Sequence, residues 1–261
     1  MTGPILLARE GSVATLTLNR PASLNALDAE MMEALVDHSA TLAADDALRC
    51  VVIRGAGKHF MAGGDIRYFA AQLALTPAER RSRFMRMIEH LQRMPHPVVA
   101  SVHGAVAGFG LSLMCACDLA IAADTSYFTS AYRQLGLTPD GGLSYALPRQ
   151  VGLKNAMEIL LLGERFGAAD ALRLGLVNRV VPEAELARVT EQVVAMIASG
   201  PVTAMRNDKR LIQRSLAQSL SEQLRAEAAS FGACSATDDF VEGVRAFIDK
   251  RPPRFGGSEE R

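Results

Sequence analysis

Residues 98–118 read VVASVHGAVAGFGLSLMCACD, and no other stretch limits the possible folds as tightly. A short apolar run, 98–102, gives way to three glycines within seven residues, Gly104, Gly108 and Gly110. A second apolar run then carries no charge before Asp118. This is a strand, a tight turn and a helix that is apolar all round, and a helix of that kind is buried on every side. Glycine lets the backbone approach a ligand closely, and the first N–H groups of the following helix lack intrahelical acceptors. Together with the helix dipole they form a place for negative charge.

The rest of the chain supplies what such a helix needs around it. The 261 residues can bury a large core, and 49% are apolar against 21% charged, which excludes a disordered chain. Lys and Arg number 28 and so do Asp and Glu, so no basic excess points to nucleic acid or an anionic membrane. No apolar run reaches the ~18 residues of a membrane span. Residues 1–4 are soon followed by Arg9 and Glu10, which is not the pattern of a signal peptide, so a soluble cytoplasmic protein is expected. The four cysteines, Cys50, Cys115, Cys117 and Cys234, lack metal-ligand spacing and read as buried free thiols.

In chain order, residues 13–18 alternate as a strand, and Asp28 is placed to cap a helix carrying Met31, Leu35 and Leu42 on one face. Residues 50–53 predict a buried parallel strand. A second glycine-rich loop, 55–66, follows it directly and can also present backbone N–H groups. Residues 76–94 predict an amphipathic surface helix ended by Pro95-His96-Pro97. Strands are expected at 98–102 and 119–122. The pattern loosens over 128–149, where Leu135-Gly136-Leu137-Thr138-Pro139-Asp140-Gly141-Gly142 is a turn-rich loop with one acid. Beyond it, helices are expected at 153–162, 169–174, 183–199, 202–217, 221–231 and 239–250. Residues 177–181 are the only strand candidate in that half. The pattern is an α/β core over 1–199 followed by a helical region over 200–261, joined at Gly200-Pro201.

Several familiar chemistries fail on spacing. Gly104, Gly108 and Gly110 do not form the dinucleotide-binding Gly-x-Gly-x-x-Gly. Gly142-Leu143-Ser144-Tyr145-Ala146 lacks the last glycine of a serine-hydrolase elbow. None of His38, His59, His90, His96 and His103 pairs at metal spacing, so they read as structural, and no metal or cofactor is expected. Ser112 in its apolar helix is expected to bond back to a carbonyl. Two glycine loops and one isolated acid, Asp140, remain. They suit chemistry in which charge builds on a carbonyl oxygen while a carboxylate moves a proton nearby. Pro-Asp-Gly is equally a strong turn signal, so a purely conformational Asp140 stays open.

At these residues the chain resembles the crotonase, or enoyl-CoA hydratase/isomerase, family. The likeness runs through Leu18-Asn19-Arg20-Pro21 with Asn25-Ala26-Leu27, Phe60-Met61-Ala62-Gly63-Gly64-Asp65-Ile66, Gly104-Ala105-Val106-Ala107-Gly108-Phe109-Gly110 with Cys117-Asp118, and Gly136 to Gly142. It continues through Glu242-Gly243-Val244-Arg245-Ala246-Phe247 with Lys250-Arg251. The resemblance implies a spiral of ββα units with a C-terminal helical trimerisation region, assembled as a homotrimer or a dimer of trimers and acting on acyl-CoA thioesters. By position, the oxyanion-hole donors are the backbone N–H groups of Gly64 and Phe109. Phe109 stands where relatives commonly have glycine, which leaves a backbone donor intact. Ala62 and Ile66 fall where the family lines the adenine and pantetheine of coenzyme A, and Asp65 between them is counted with the same substrate-binding stretch. Phe231, Phe247 and Lys250 fall where relatives close over the coenzyme A of a neighbouring subunit.

The departures from the family pattern are informative. Its hydratases use two glutamates to activate water, and here those positions hold Ser112 and Tyr132, counted among the residues facing substrate. Asp140 stands where the enoyl-CoA isomerases and the epoxyphenylacetyl-CoA isomerases carry their single acid. The resemblance therefore implies an isomerase with Asp140 as proton shuttle, its pKa raised by apolar surroundings. A hydratase or another reaction of the family is the alternative, and a non-catalytic acyl-CoA-binding relative is a reading of a different class.

Overall fold

The computed structural model describes residues 3–75 and 85–256. Strands β1 (Ile5–Glu10) and β2 (Val13–Leu18) form an antiparallel hairpin in register from Ile5 opposite Leu18 to Glu10 opposite Val13. Its turn uses Gly11 at φ +58°. Helix α1 (Ala29–Ala43) starts at Asp28, whose carboxylate accepts the Met31 N–H at 2.9 Å, and buries Met31, Met32, Leu35 and Leu42. Strand β3 (Cys50–Gly55), helices α2 (Ile66–Ala71) and α3 (Met85–Arg93), and strand β4 (Val98–Val102) follow. Next come β5 (Ala105–Ala107), helix α4 (Phe109–Ala116), β6 (Leu119–Ala123) and β7 (Tyr127–Thr129). Helices α5 (Leu143–Val151) and α6 (Leu153–Leu162), strand β8 (Phe166–Gly167), helix α7 (Ala168–Arg173) and strand β9 (Arg179–Val181) complete the sheets. Four helices close the described chain: α8 (Leu186–Ala198), α9 (Val202–Ser215), α10 (Leu220–Ser235) and α11 (Asp238–Ile248).

The main sheet runs β1-β2-β3-β4-β6-β9, parallel from β2 onward, and a smaller mixed sheet runs β5-β7-β8. Successive residues of a strand face opposite sides. Val51 and Ile53 enter the large core with α1, α3 and α4, while Cys50 and Val52 meet Leu186, Val193, Val194 and Ile197 of α8 on the other side. All eight residues of α4 are buried, as its uncharged sequence requires. Cys50, Cys115 and Cys117 are buried free thiols, and Cys234 departs from that expectation by being only half-buried. Burial pushes the thiols of Cys50 and Cys115 up to about 12, so they are inert packing groups. Among the described residues, no helix is long and apolar enough to cross a membrane.

Three local readings are corrected. Residues 143–151 are a helix, because Leu143, Leu147 and Val151 recur every four residues and bury one face despite Pro148. Strand β8 was not legible at two residues; it exists because β7 offers it an edge. The strand expected over 177–181 begins only at Arg179, since the N–H groups of Leu176 and Val177 go to the Ala171 carbonyl in a turn. The expected helix over 76–94 is present as α3, and its first part, 76–84, lies outside the described residues.

Helix α9 is fastened to the core by one buried cation. The Lys209 side chain is 6% exposed and forms an ion pair with Asp118 at 2.7 Å. Its ammonium also donates to the carbonyls of His96 at 2.9 Å and Leu91 at 3.3 Å. Asp118 in turn accepts the Val98 N–H at 2.8 Å, so one carboxylate ties β4, the end of α4 and α9 together. Removing one partner of a buried pair strands the other charge. Lys209→Met is expected to lower unfolding stability by about 3 kcal/mol. Urea titration at fixed protein concentration checks this; a midpoint unchanged from the parent would mean the pair does not hold α9.

Candidate active site

Both glycine loops leave the main sheet at the C-terminal ends of neighbouring parallel strands, the first after β3 and the second after β4. In open α/β sheets this is the edge where ligands bind. Loop 56–65 is laced to the segment around β5: the Phe60 N–H donates to the His103 carbonyl at 2.8 Å and the Met61 N–H to the Ala105 carbonyl at 3.0 Å. The Ala107 N–H returns to the Met61 carbonyl at 2.9 Å. The contact is backbone on backbone. A Cβ on Gly110 would overlap the Met61 carbonyl oxygen, and one on Gly63, at φ +107°, would stand 3.2 Å from the Ala107 carbonyl oxygen. A Cβ on Gly108 would likewise lie 3.3 Å from the Gly63 Cα.

Gly64 and Phe109 are the residues that follow this Gly63–Gly108 approach, one in each loop. Their backbones therefore start side by side. Phe109 is the first residue of α4, where an N–H points out of the helix end. Among the described residues no acceptor takes the Gly64 N–H.

Two residues given no role by the sequence reading hold loop 56–65 in place. Asn25 is fully buried, and its side-chain amide donates to the carbonyls of Ala56 at 2.9 Å and His59 at 2.7 Å while its oxygen accepts the Arg20 N–H at 2.8 Å. Arg20 binds the Ala26 carbonyl and the carboxylates of Asp28 at 2.9 Å and Asp65 at 3.0 Å. The signal was available: an Asn in a motif match, here at φ +54°, is a typical backbone-mimicking group. Asp65, expected in the substrate-binding stretch, uses its carboxylate within the fold. Its carboxylate caps α2 through the Arg67 N–H at 2.9 Å and pairs with Arg20. Burial pushes its carboxyl up, but those hydrogen bonds outweigh the effect and hold it below the usual range. Ala62 is half-buried beside it, and Ile66 is exposed at the start of α2.

Asp140 arrives from the far side. The loop before α5 passes over the first turn of α4, where a Cβ on Gly141, at φ +58°, would come within 2.8 Å of the Phe109 ring and 2.9 Å of Ser112 Cβ. The Ser112 hydroxyl donates to the Asp140 carbonyl at 3.0 Å and lies 2.8 Å from the Tyr132 hydroxyl. The Tyr132 hydroxyl donates to Asp140 Oδ1 at 2.7 Å. Ser112 is 1% and Tyr132 9% exposed, and their hydroxyls are turned onto Asp140 and each other. The back-bond expected of Ser112, to the Gly108 carbonyl, is its longest at 3.5 Å. Asp140 is thus a turn residue, its carbonyl accepting the Leu143 N–H at 3.2 Å, and its loop passes over the first turn of α4. Burial and the neighbouring Asp140 carboxylate push the Tyr132 phenol far up, which keeps it a hydrogen-bond donor.

Phe231, Phe247 and Lys250 are exposed on α10, in α11 and just after it. No contact within the described chain joins them to Asp140. Phe247 instead lines an apolar groove of about 410 Å³ with Pro201, Cys234, Phe240 and Phe255.

The Enoyl-CoA hydratase/isomerase family model matches residues 8–258. The chain belongs to the enoyl-CoA hydratase/isomerase family. Its fold is the crotonase fold of that family, an α/β core with mixed sheets and a C-terminal helical region. It is 37% identical over 245 residues to a Rhodobacter capsulatus protein named "Probable enoyl-CoA hydratase", covering 94% of this chain and 95% of that one. To the 1,2-epoxyphenylacetyl-CoA isomerase of Escherichia coli strain K12 it is 34% identical over 261 residues, covering 97% and 98%. The crystal structure of an enoyl-CoA hydratase from Polaromonas sp. JS666 superposes with a TM-score of 0.90 at 33% identity, covering 96% of this chain and 99% of that one.

The loop contact sets a stability expectation for the enzyme. Gly110→Ala forces backbone against backbone, for which overpacking costs about 1–3 kcal/mol. At roughly 2–4 °C per kcal/mol for a chain of this size, the melting temperature falls by several degrees. Thermal denaturation followed by circular dichroism measures it, and a parent-like melt would show that the loops yield freely.

Proposed function

We propose that this enzyme is an acyl-CoA isomerase that moves a double bond in an enoyl-CoA thioester, from the 3 to the 2 position, or isomerises an epoxide-derived ring thioester by the same chemistry. The observation that carries this reading is the single carboxylate. Asp140 lies against the first turn of α4, and the positions of the family's two water-activating glutamates are filled by hydroxyls bonded to it. Activation of water by a carboxylate pair has no second acid at these two positions.

The thioester carbonyl oxygen sits between the N–H groups of Gly64 and Phe109. Asp140 takes a proton from C2; the electron pair moves into the thioester carbonyl, and the two donors stabilise the resulting dienolate. The protonated Asp140 then returns its proton at C4, which restores the carboxylate and leaves the conjugated 2-enoyl thioester. No atom is gained or lost, and coenzyme A is part of the substrate, so no cofactor takes part. Backbone around Ala62 and Ile66 runs beside the coenzyme A moiety.

Relatives bearing hydratase and isomerase names stand at similar identity, so the test is chemical. General acid–base groups contribute about 10²–10⁴-fold. Asp140→Asn is expected to lose isomerisation of a 3-enoyl-CoA by a factor in that range, read as the appearance of conjugated-thioester absorbance. Hydration of a 2-enoyl-CoA by the parent enzyme, at rates above its isomerisation, would overturn the reading in favour of a hydratase.

Exposed apolar side chains on the closing helices, among them Ile212, Leu216, Phe231, Phe247 and Ile248, are 68–86% exposed in the single chain. A surface of this kind is an interaction site. The protein assembles as a homotrimer or dimer of trimers through these helices, with Phe231, Phe247 and Lys250 brought to a neighbour's substrate. Light scattering coupled to size exclusion is expected to give three or six times the chain mass, and a monomer would refute the assembly.

A further inference from the structure

The structure assigns His59 as a positioning residue: its imidazole supplies the acceptor that keeps the two glycine loops in register, and so fixes how Gly64 stands against the start of α4. This rests on the substrate's thioester carbonyl being held between those loops.

The backbone between the loops is one acceptor short. The Met61 N–H donates to the Ala105 carbonyl at 3.0 Å and the Ala107 N–H to the Met61 carbonyl at 2.9 Å, which makes a parallel bridge between Met61 and Val106. Continued two residues toward the N-terminus, a parallel ladder would send the Ala105 N–H to the His59 carbonyl. That carbonyl is turned away. It accepts the Asn25 amide at 2.7 Å, and a Cβ on Gly55 would overlap it. The consecutive N–H groups of Phe60 and Met61 take carbonyls two residues apart, those of His103 and Ala105, so the ladder breaks at His59. The His59 ring fills the gap: its Nδ1 accepts the Ala105 N–H at 3.1 Å. Ala105 is 2% exposed, and a buried donor left unmet carries its full desolvation cost.

The surroundings are shaped to the ring. A Cβ on Gly104, at φ +57°, would stand 2.5 Å from His59 Nδ1 and would overlap the Lys58 carbonyl, so this glycine leaves the room that the imidazole uses. The bond requires a nitrogen without a hydrogen, so it forms with the neutral ring carrying its hydrogen on Nε2. With its carbonyl tied to Asn25 and its ring to Ala105, His59 pins loop 56–65 from both sides. His103 makes another side-chain link between the loops, its Nε2 donating to the Gly57 carbonyl at 2.9 Å, but that contact is exposed and lies farther back in the loop. His59 is the nearer link to Gly63 and Gly64, where the loop meets Gly108.

The test compares two variants with the parent on a 3-enoyl-CoA and on a 2-enoyl-CoA. His59→Leu fills similar space without an acceptor, and His59→Asn places its side-chain oxygen where Nδ1 lies. His59→Leu is expected to lower kcat about two- to tenfold, the range one net hydrogen bond supplies, with KM within about twofold. Hydrogen exchange of the Ala105 amide, followed by NMR, is expected to speed up by a similar factor. His59→Asn is expected to bring both back to within about twofold of the parent, because it restores the acceptor. His59→Ala carries the comparison should His59→Leu fail to fold. If His59→Leu speeds exchange at Ala105 but keeps the parent kcat, the bond exists and the positioning role is overturned. Unchanged exchange at Ala105, or an Asn variant no better than the Leu variant, overturns it as well. The isomerase reading is decided on the parent alone: hydration faster than isomerisation ends it, and the His59 comparison is then read on hydration. A parent that turns over neither thioester ends both.

Discussion

Two loops from adjacent strands approach so closely that side chains have no room between them, and the site depends on that approach. The Met61 carbonyl lies where a Cβ on Gly110 would be, and the Gly63 and Gly108 backbones are in contact. Hydrogen bonds between 60–61 and 103–107 hold the separation. A turn and a helix start, each unremarkable alone, thereby put two residues, Gly64 and Phe109, beside each other. An arrangement made from backbone is insensitive to the side chain that follows it, which is how a phenylalanine can occupy the position beside Gly64. Its ring is then available for packing, and it is spent against Gly141, beneath the loop that carries Asp140.

That packing connects the glycine loops to the loop carrying Asp140. Phe109 at the first position of α4 touches Gly141, and Ser112 one turn later bonds the Asp140 carbonyl. One buried helix therefore both begins at the second glycine loop and holds the backbone of the loop that carries Asp140. The same helix ends near Asp118, which Lys209 binds from α9. The helical region is thus mechanically continuous with the site through α4, although α10 and α11 expose most of their large apolar side chains.

Much of this was legible in the residues. The uncharged run 111–117 required burial and has it, and the period of four in 28–43 and the β-branched run at 50–53 fixed α1 and β3. Elements decided by a partner were not legible: β5, β7 and β8 have two or three residues each and exist through one another's edges. At the site, the type and place of Asp140 could be read, whereas the orientations of Ser112 and Tyr132 could not. Nothing in a sequence says whether a hydroxyl faces a cavity or the backbone carbonyl of a residue twenty-eight positions away. Asp65 shows another contact the residues alone do not reveal. It lies within a ligand-lining motif, but a cap position and a nearby arginine claim its carboxylate first.

Replacing two carboxylates by two hydroxyls changes what a buried site can hold at no net charge. Two acids close together resist being ionised at once, and burial raises that cost. A serine and a tyrosine avoid the repulsion and still satisfy their own hydrogen-bonding groups, since each hydroxyl both donates and accepts. Buried polar networks are stable only when every member has a partner. The Ser112 and Tyr132 hydroxyls meet that condition through each other and Asp140.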